Sequence, residues 1–310
     1  MNTISSNEDL FVEKYRPSGL DGYIGNESLI AKCKQWIQEG DMPSILLYST
    51  AGTGKTSLAK ILANSLDSTI LYLNCSDENS VDTVRDKIKG FASTMAFTRW
   101  KIIICDEFEF MTVNGQAALR NLMETFSANC RFILTCNYVE KVIEPIQSRC
   151  QIFNIVPPSK KDVAKHVSNI LNIEGITYDL KDLVTIINSS YPDIRRILNT
   201  CQRQIIDKKL VLDAKSVIEA NYMDQILEIL KGSGDHKSKF TGIRQLVANS
   251  QVRDFTALYR YLFDHLDDFA SGHIAPVILI LADAQFQDAQ VVDKELNVMS
   301  MMVKLLSELA

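Results

Sequence analysis

Short apolar runs recur along the first half of the chain, separated by amphipathic stretches. Residues 44–48, 69–74, 101–105, 131–137 and 151–155 are the runs, and Lys101-Ile102-Ile103-Ile104-Cys105 is the purest. Continuous rather than alternating apolar character predicts strands buried on both faces, as in a parallel sheet. Between them, Leu58, Ile61, Leu62 and Leu66 recur at helical spacing, and a helix is predicted from Asn26 to about residue 38 with Asn26 as its cap. Further helices are predicted over 76–92, with Val81, Val84, Ile88 and Phe91 on the apolar side, and over 112–127, with Ala118, Leu119, Leu122, Met123 and Phe126. Gln116 and Arg120 are polar exceptions in the latter. Alternating strand and helix predicts an α/β domain.

Pro157-Pro158 ends that pattern. Helices are then predicted at 159–171, 179–189, 193–207 and 213–231, and, beyond Gly232-Ser233-Gly234-Asp235, at 236–249, 251–269, 274–287 and 290–309. The expected organisation is an α/β domain over 1–156, an all-α domain over 157–232 and a second all-α domain over 233–310. The last carries no catalytic-looking cluster, which suits an assembly module.

Composition narrows the class without defining it. At 46% hydrophobic and 23% charged residues the 310-residue chain is not a disordered one. No apolar run approaches the roughly 18–20 residues of a membrane span, and the first nine residues lack the basic start and apolar core of a secretion signal. The seven cysteines have no C-x-x-C spacing and read as reduced core thiols of a cytoplasmic protein. The net charge of −5 gives no global attraction to nucleic acid, so any DNA contact has to come from a local basic surface.

The chemistry concentrates at two corners. After the first apolar run comes Ser49-Thr50-Ala51-Gly52-Thr53-Gly54-Lys55-Thr56, followed by Ser57 and the helical pattern. Strand, glycine-rich turn and helix form the setting of a phosphate-binding loop: backbone N–H groups of Gly52, Thr53, Gly54 and their neighbours face the phosphates, with the helix N-terminus behind them. Lys55 then reaches the β/γ oxygens and the Thr56 hydroxyl holds Mg²⁺. Ser49 stands where the pattern has its first glycine. The Ile run ends in Asp106-Glu107, at the edge where parallel sheets bind ligands. Asp106 can orient Mg²⁺, and Glu107 can polarise the attacking water. Asn137, ending another run, lands at the same edge, where an amide could align that water. Val12, Tyr15, Arg16 and Ile24 flank the first strand and are placed to wrap base and ribose, although a plain N-terminal helix explains the periodicity equally well. Together these imply a nucleoside-triphosphatase core.

Several features stay two-sided. Arg85 and Lys89 form a cationic stripe, which a solvated face also explains. Met95 and Phe97 are either core or an exposed apolar patch. Arg195 and Arg196, in the first turn of a helix started by Pro192-Asp193, run against the helix dipole, which suits a nearby ligand phosphate or simply an exposed pair.

In order, Glu13-Lys14-Tyr15-Arg16-Pro17, the phosphate loop, Asp106-Glu107, Thr135-Cys136-Asn137-Tyr138 and Glu144-Pro145-Ile146-Gln147-Ser148-Arg149-Cys150 together resemble the AAA+ clamp-loader ATPases, such as replication factor C small subunits. The resemblance is dense over roughly residues 11–200. The Asp-Glu-Phe-Glu form at 106–109 and Tyr191-Pro192-Asp193-Ile194-Arg195 look closest to the T-even-type bacteriophage loader large subunit. The resemblance implies an AAA+ domain, a helical lid and a helical collar, with ATP and Mg²⁺ as cofactors. It implies that Arg149 is an arginine finger for a neighbouring subunit, Asn137 the first sensor and Arg195 the lid-borne sensor. Arg85, Lys89 and Arg120 would face DNA, with Gln116 and Arg120 linking that surface to the acidic motif; Met95 and Phe97 would plug into the sliding clamp. Implied partners are the ring-shaped clamp, primer–template DNA, and further copies of the chain with a diverged small subunit in a pentamer, in the cytoplasm of a host cell if phage-encoded. The rivals are an AAA+ protein remodeller or helicase loader, a subunit that holds ATP without turnover, and a nucleotide kinase.

Overall fold

A computed structural model describes residues 10–95, 97–212, 214–250, 252 and 254–309. The first nine residues, where the absence of a leader pattern was read, lie outside the described residues. The described chain divides into two compact units, one of residues 1–178 and 190–209, the other of 179–189 and 210–310.

The first unit is built on five strands, β1 (Ile45–Tyr48), β2 (Ser68–Asn74), β3 (Trp100–Asp106), β4 (Cys130–Cys136) and β5 (Gln151–Asn154), in the order β2-β3-β4-β1-β5. All pairs are parallel, with Ile45 beside Ile133 and Ile103 beside Phe132. The interior strand β3 is buried along its whole length, which is why Ile102–Cys105 is a continuous apolar run. One face of the sheet packs Leu46, Ile103, Phe132 and Leu134 against Val84, Ile88, Leu119 and Met123. The other packs Ile45, Leu47, Ile102 and Ile104 against Leu29, Trp36, Leu58 and Leu62. The parallel arrangement brings the carboxyl ends of β1, β3 and β4 to one edge, the edge that carries the chemistry.

The helices depart from expectation in instructive places. The helix after Asn26 runs Glu27–Glu39, but Asn26 is in the left-handed region at φ 57° and its side chain makes no cap bond. Its amide instead brackets Val156, with Nδ2 donating to the carbonyl and Oδ1 accepting from the N–H, both at 2.9 Å. The 76–92 prediction is too long. Helical backbone begins at Val81, passes through a π-helical turn at Val84–Ile88 and ends as Lys89–Ser93. The 112–127 prediction holds as Val113–Thr125, with the Thr112 hydroxyl accepting from Gly115 N. The 193–207 helix stops at Arg203, and Ile205–Ile206 turns into a minimal strand through Asp207 and Lys208, both at positive φ.

The second unit is helical: Leu180–Ser190, Ala214–Lys231, His236–Ser250, Thr256–Asp264, Leu266–Phe269, Ile274–Asp288 and Lys294–Glu308. The expected 251–269 helix starts only at Thr256 and breaks at His265. Its core gathers Ile226, Leu230, Ile243, Val247, Leu258, Leu262, Val277, Val298, Met302 and Leu305. All seven cysteines are free thiols, six of them buried. Among the described residues, no helix is long and apolar enough to cross a membrane.

Candidate active site

The 49–54 loop joins β1 to the Lys55–Ser65 helix through two left-handed glycines, Gly52 at φ +73° and Gly54 at φ +94°. Space as well as φ demands glycine here. A Cβ on Gly52 would lie 1.9 Å from Asp193 Oδ1, and one on Gly54 would lie 3.1 Å from the Tyr23 ring. Ser49, by contrast, has no positive φ to accommodate. Its buried hydroxyl donates to Ile155 O at 2.5 Å, pinning the start of the loop to the chain leaving β5.

Beside the loop sits a dense polar network. Lys55 Nζ donates to Ser49 O (2.9 Å), Thr50 O (2.7 Å) and Asn137 Oδ1 (2.9 Å). Burial pulls its ammonium below the ordinary lysine range, and the negative charges of Glu109 and Asp106 oppose that pull. The buried Asp106 carboxylate accepts from the Thr56 hydroxyl (2.8 and 3.0 Å), from Tyr72 OH (2.7 Å) and from the Thr135 hydroxyl. Burial first, and then Asp106, push the Tyr72 hydroxyl above its usual range, so it stays a donor. Thr56 and Asp106 thus offer adjacent hard oxygens, the donor type Mg²⁺ takes alongside substrate phosphates. Among the described residues no cluster of three or more His, Cys, Asp or Glu side chains could hold a metal on its own.

Glu107 follows directly, at φ +54°, a left-handed conformation that costs a non-glycine residue about 1 kcal/mol or more. Its N–H donates to Thr135 Oγ1 at 3.2 Å, and its side chain lines the same cavity as the loop, Asp106, Asn137, Arg16 and Arg195. Asn137 is itself held. Its backbone N–H and Nδ2 both donate to Glu109 Oε1, at 3.0 and 2.7 Å.

A contiguous cavity is lined by Val12, Tyr15, Arg16, Tyr23, Ile24, Gly52, Thr53, Gly54, Ser57, His166 and Arg195, which brings together the residues expected to wrap a nucleoside. Arg195 borders both this cavity and the loop cavity, carried there by the Ile194–Arg203 helix whose N-cap Asp193 accepts from Arg196 N. Glu109, Tyr72, Thr135, Asp193 and His166 were not anticipated. Asp193 was legible as an N-cap; the burial of Glu109 had no local signal.

The remaining candidates lie elsewhere. Arg149 follows the Glu144–Gln147 turn and bonds Pro145 O (2.6 Å) and the Glu124 carboxylate. It lines a groove of about 660 Å³ with Trp36, Met42 and Arg131, at the amino ends of β1 and β4 and so at the opposite edge of the sheet from the phosphate loop. Arg85 and Lys89 are exposed. Met95 and Phe97 are 97% and 109% exposed, so the core alternative for them falls. Arg120 bonds only Asn121 among the described residues, so it does not bridge to the acidic motif. Buried Gln116 donates to Met111 O and Lys141 O and accepts from Ile143 N, so its bonds tie its helix to the 141–143 segment rather than to Asp106 or Glu107.

A parallel sheet whose carboxyl edge joins a glycine-rich loop, Lys55, Thr56 and an Asp106-Glu107 pair defines a P-loop ATPase of the AAA+ class. The model of the ATPase family associated with various cellular activities matches residues 45–158. The replication factor C small subunit of Thermofilum pendens is 33% identical over 96% of both chains. That of Methanoculleus marisnigri is 34% identical over 74% of this chain and 75% of its own. The Thermotoga maritima RuvB branch-migration motor shares the fold alone, at 17% identity and TM-score 0.57 over 81% of this chain and 91% of its own. The chain belongs to the replication factor C small-subunit family. It is an ATP-binding, ATP-hydrolysing subunit of an oligomeric sliding-clamp loader, and the remodeller alternative is not favoured.

Proposed function

We propose that ATP lies with its base between Val12, Tyr15, Arg16 and Ile24 and its phosphates on Gly52, Thr53, Gly54 and Ser57. Lys55 exchanges its loop carbonyls for β/γ-phosphate oxygens. Thr56 and Asp106 hold Mg²⁺, which when bound neutralises developing phosphate charge. Glu107 takes a proton from the attacking water as the bond from the γ-phosphorus to the bridging oxygen breaks, and Asn137 aligns that water. Arg195 contacts the γ-phosphate and couples nucleotide to lid closure. Arg149 acts in trans on the neighbour's ATP. ATP favours the clamp-gripping state only through contacts present in that state, which Arg149 and Arg195 supply.

The wider reading is a pentamer of such chains with one diverged small subunit, with residues 1–156, 157–232 and 233–310 as AAA+ domain, lid and collar. ATP lets it open the ring clamp, and primer–template DNA triggers the hydrolysis that releases it. Arg85, Lys89 and Arg120 face DNA phosphates, and Met95 and Phe97 enter the clamp. The exposure of these two apolar side chains, costly in water, supports that role. The Asp-Glu-Phe-Glu motif supports a bacteriophage-type loader acting in the host cytoplasm.

The observation that carries the reading is the separation of Arg149 from the chain's own phosphate loop, at opposite edges of one sheet. ATP hydrolysis measured with cognate clamp and primed DNA tests it. Turnover rising many-fold only with both present is expected; turnover indifferent to both contradicts it.

A further inference from the structure

Glu109 is a carboxylate in the interior, 7% exposed, and among the described residues no lysine or arginine is bonded to it. Its Oε1 accepts twice from Asn137, from the backbone N–H and from Nδ2. Its Oε2 is buried without a hydrogen-bond partner among the described residues. A buried carboxylate so incompletely satisfied is costly. Packing does not require it, because Phe108 on the same turn is fully buried and supplies the apolar anchor.

The two ends of an asparagine amide have nearly the same shape and opposite hydrogen-bonding character. A carboxylate only accepts, so it draws Nδ2 to itself and turns Oδ1 the other way. Here Oδ1 faces Lys55 Nζ at 2.9 Å, completing the chain Glu109–Asn137–Lys55. With the amide reversed, Nδ2 would face the Lys55 ammonium and Oδ1 the Glu109 carboxylate, two repulsions in place of two bonds.

We infer that Glu109 is a positioning residue for ATP hydrolysis: it locks the Asn137 amide with its oxygen toward the reacting phosphate. While Lys55 donates to Oδ1 the amide oxygen is occupied. Once Lys55 turns to the phosphates, the same oxygen is left as an acceptor for a proton of the water that Glu107 deprotonates. Glu109 touches neither ATP nor water and acts only through Asn137. The inference rests on the water-aligning role of Asn137.

The test uses the full chain in the assembly in which it turns over, comparing ATP affinity with single-turnover hydrolysis. Glu109→Gln, whose side-chain amide can turn either end to Asn137, is expected to slow hydrolysis about tenfold or more while ATP affinity changes less than about threefold. Asn137→Ala is expected to cost at least as much, and the double variant no more than Asn137→Ala alone, because both act through one group. A merely structural Glu109 would instead lower the melting temperature and leave the two effects additive. Should Glu109→Gln fail to fold alone, Asn137→Asp with and without Glu109→Gln decides the matter. The second substitution restores a donor opposite the new carboxylate, so the pair must hydrolyse faster than Asn137→Asp alone. Normal turnover by Asn137→Ala sinks the role of Asn137 itself. Impaired Asn137→Ala beside unimpaired Glu109→Gln, additive losses, or no gain in the Asp/Gln pair overturns the inference about Glu109.

Discussion

Each of the two units buries an aspartate that accepts from a tyrosine, and the two networks do different work. In the α/β unit Asp106 takes Tyr72, Thr56 and Thr135 at the open carboxyl edge of the sheet, beside a loop of left-handed glycines. In the helical unit Asp288, 6% exposed, takes Tyr259 OH at 3.0 Å and Lys294 at 3.0 Å, and Asn297 donates to the same tyrosine oxygen and to Ala284 O. Burial first, and then the neighbouring aspartate, raise both tyrosine hydroxyls, so both remain donors. What differs is what lies alongside. Asp106 borders a cavity with Lys55, Glu107 and Asn137, whereas Asp288 ties buried Tyr259 and Asn297 to the partly exposed Lys294 in a packed helical unit. Similar hydrogen bonds make a site where backbone donors and a cavity adjoin them, and a structural clasp where they do not.

Four experiments can break or sharpen that contrast. The largest effect belongs to neither network: Arg149→Ala should cut stimulated hydrolysis by about 10³-fold or more while leaving ATP binding near normal, as read by turnover and nucleotide titration. Glu107→Gln should lower single-turnover hydrolysis by roughly 10²–10⁴-fold, again with ATP still bound. Next comes a matched pair. Tyr259→Phe should lower helical-unit stability by about 1–2 kcal/mol and leave turnover per folded molecule unchanged. Tyr72→Phe, at a half-exposed edge, should alter turnover several-fold with little change in melting. Interchanged signatures would dissolve the distinction.

The smallest effect is a pH dependence at the N-terminal segment. Lys14 Nζ and Tyr15 OH both donate to Glu174 Oε1 at 2.6 Å, and these bonds hold its carboxyl below the ordinary carboxylate range. Because the folded-state value is depressed, the stabilisation is present above about pH 4.5 and disappears as pH falls through the folded value. Acid melting curves of wild type and Glu174→Gln should converge below that range and separate, slightly, above it.

Much of this was legible in the sequence where one physical constraint dominates. The apolar run 101–104 can only be a doubly buried strand, and Gly52 and Gly54 in a strand-to-helix corner announce a phosphate loop. Strand polarity alone then places Lys55, Thr56, Asp106, Glu107 and Asn137 at one edge. Features set by contacts distant in sequence were not legible. Asn26 looks like a helix cap, yet its amide is claimed by Val156, 130 residues away. Helical periodicity over 76–92 cannot register a π turn, and Ile205 carries no sign that it leaves the helix. Glu109, third acid of the Asp-Glu-Phe-Glu motif, reads as solvated until the Phe108–Phe110 turn folds it under Asn137. Ser49, standing where the pattern has its first glycine, provides an anchor to Ile155 that its neighbours in sequence do not announce.

The most direct test of the account mixes two disabled forms of the chain. Glu107→Gln retains Arg149 but lacks the proposed base; Arg149→Ala retains Glu107 but lacks the proposed finger. Each assembled alone should hydrolyse ATP near background. If Arg149 serves the neighbouring site, mixing them should recover roughly a quarter of wild-type turnover, since random assembly pairs an intact base with an intact finger at about one interface in four. A mixture no more active than its components, or wild-type turnover by Arg149→Ala alone, would contradict it.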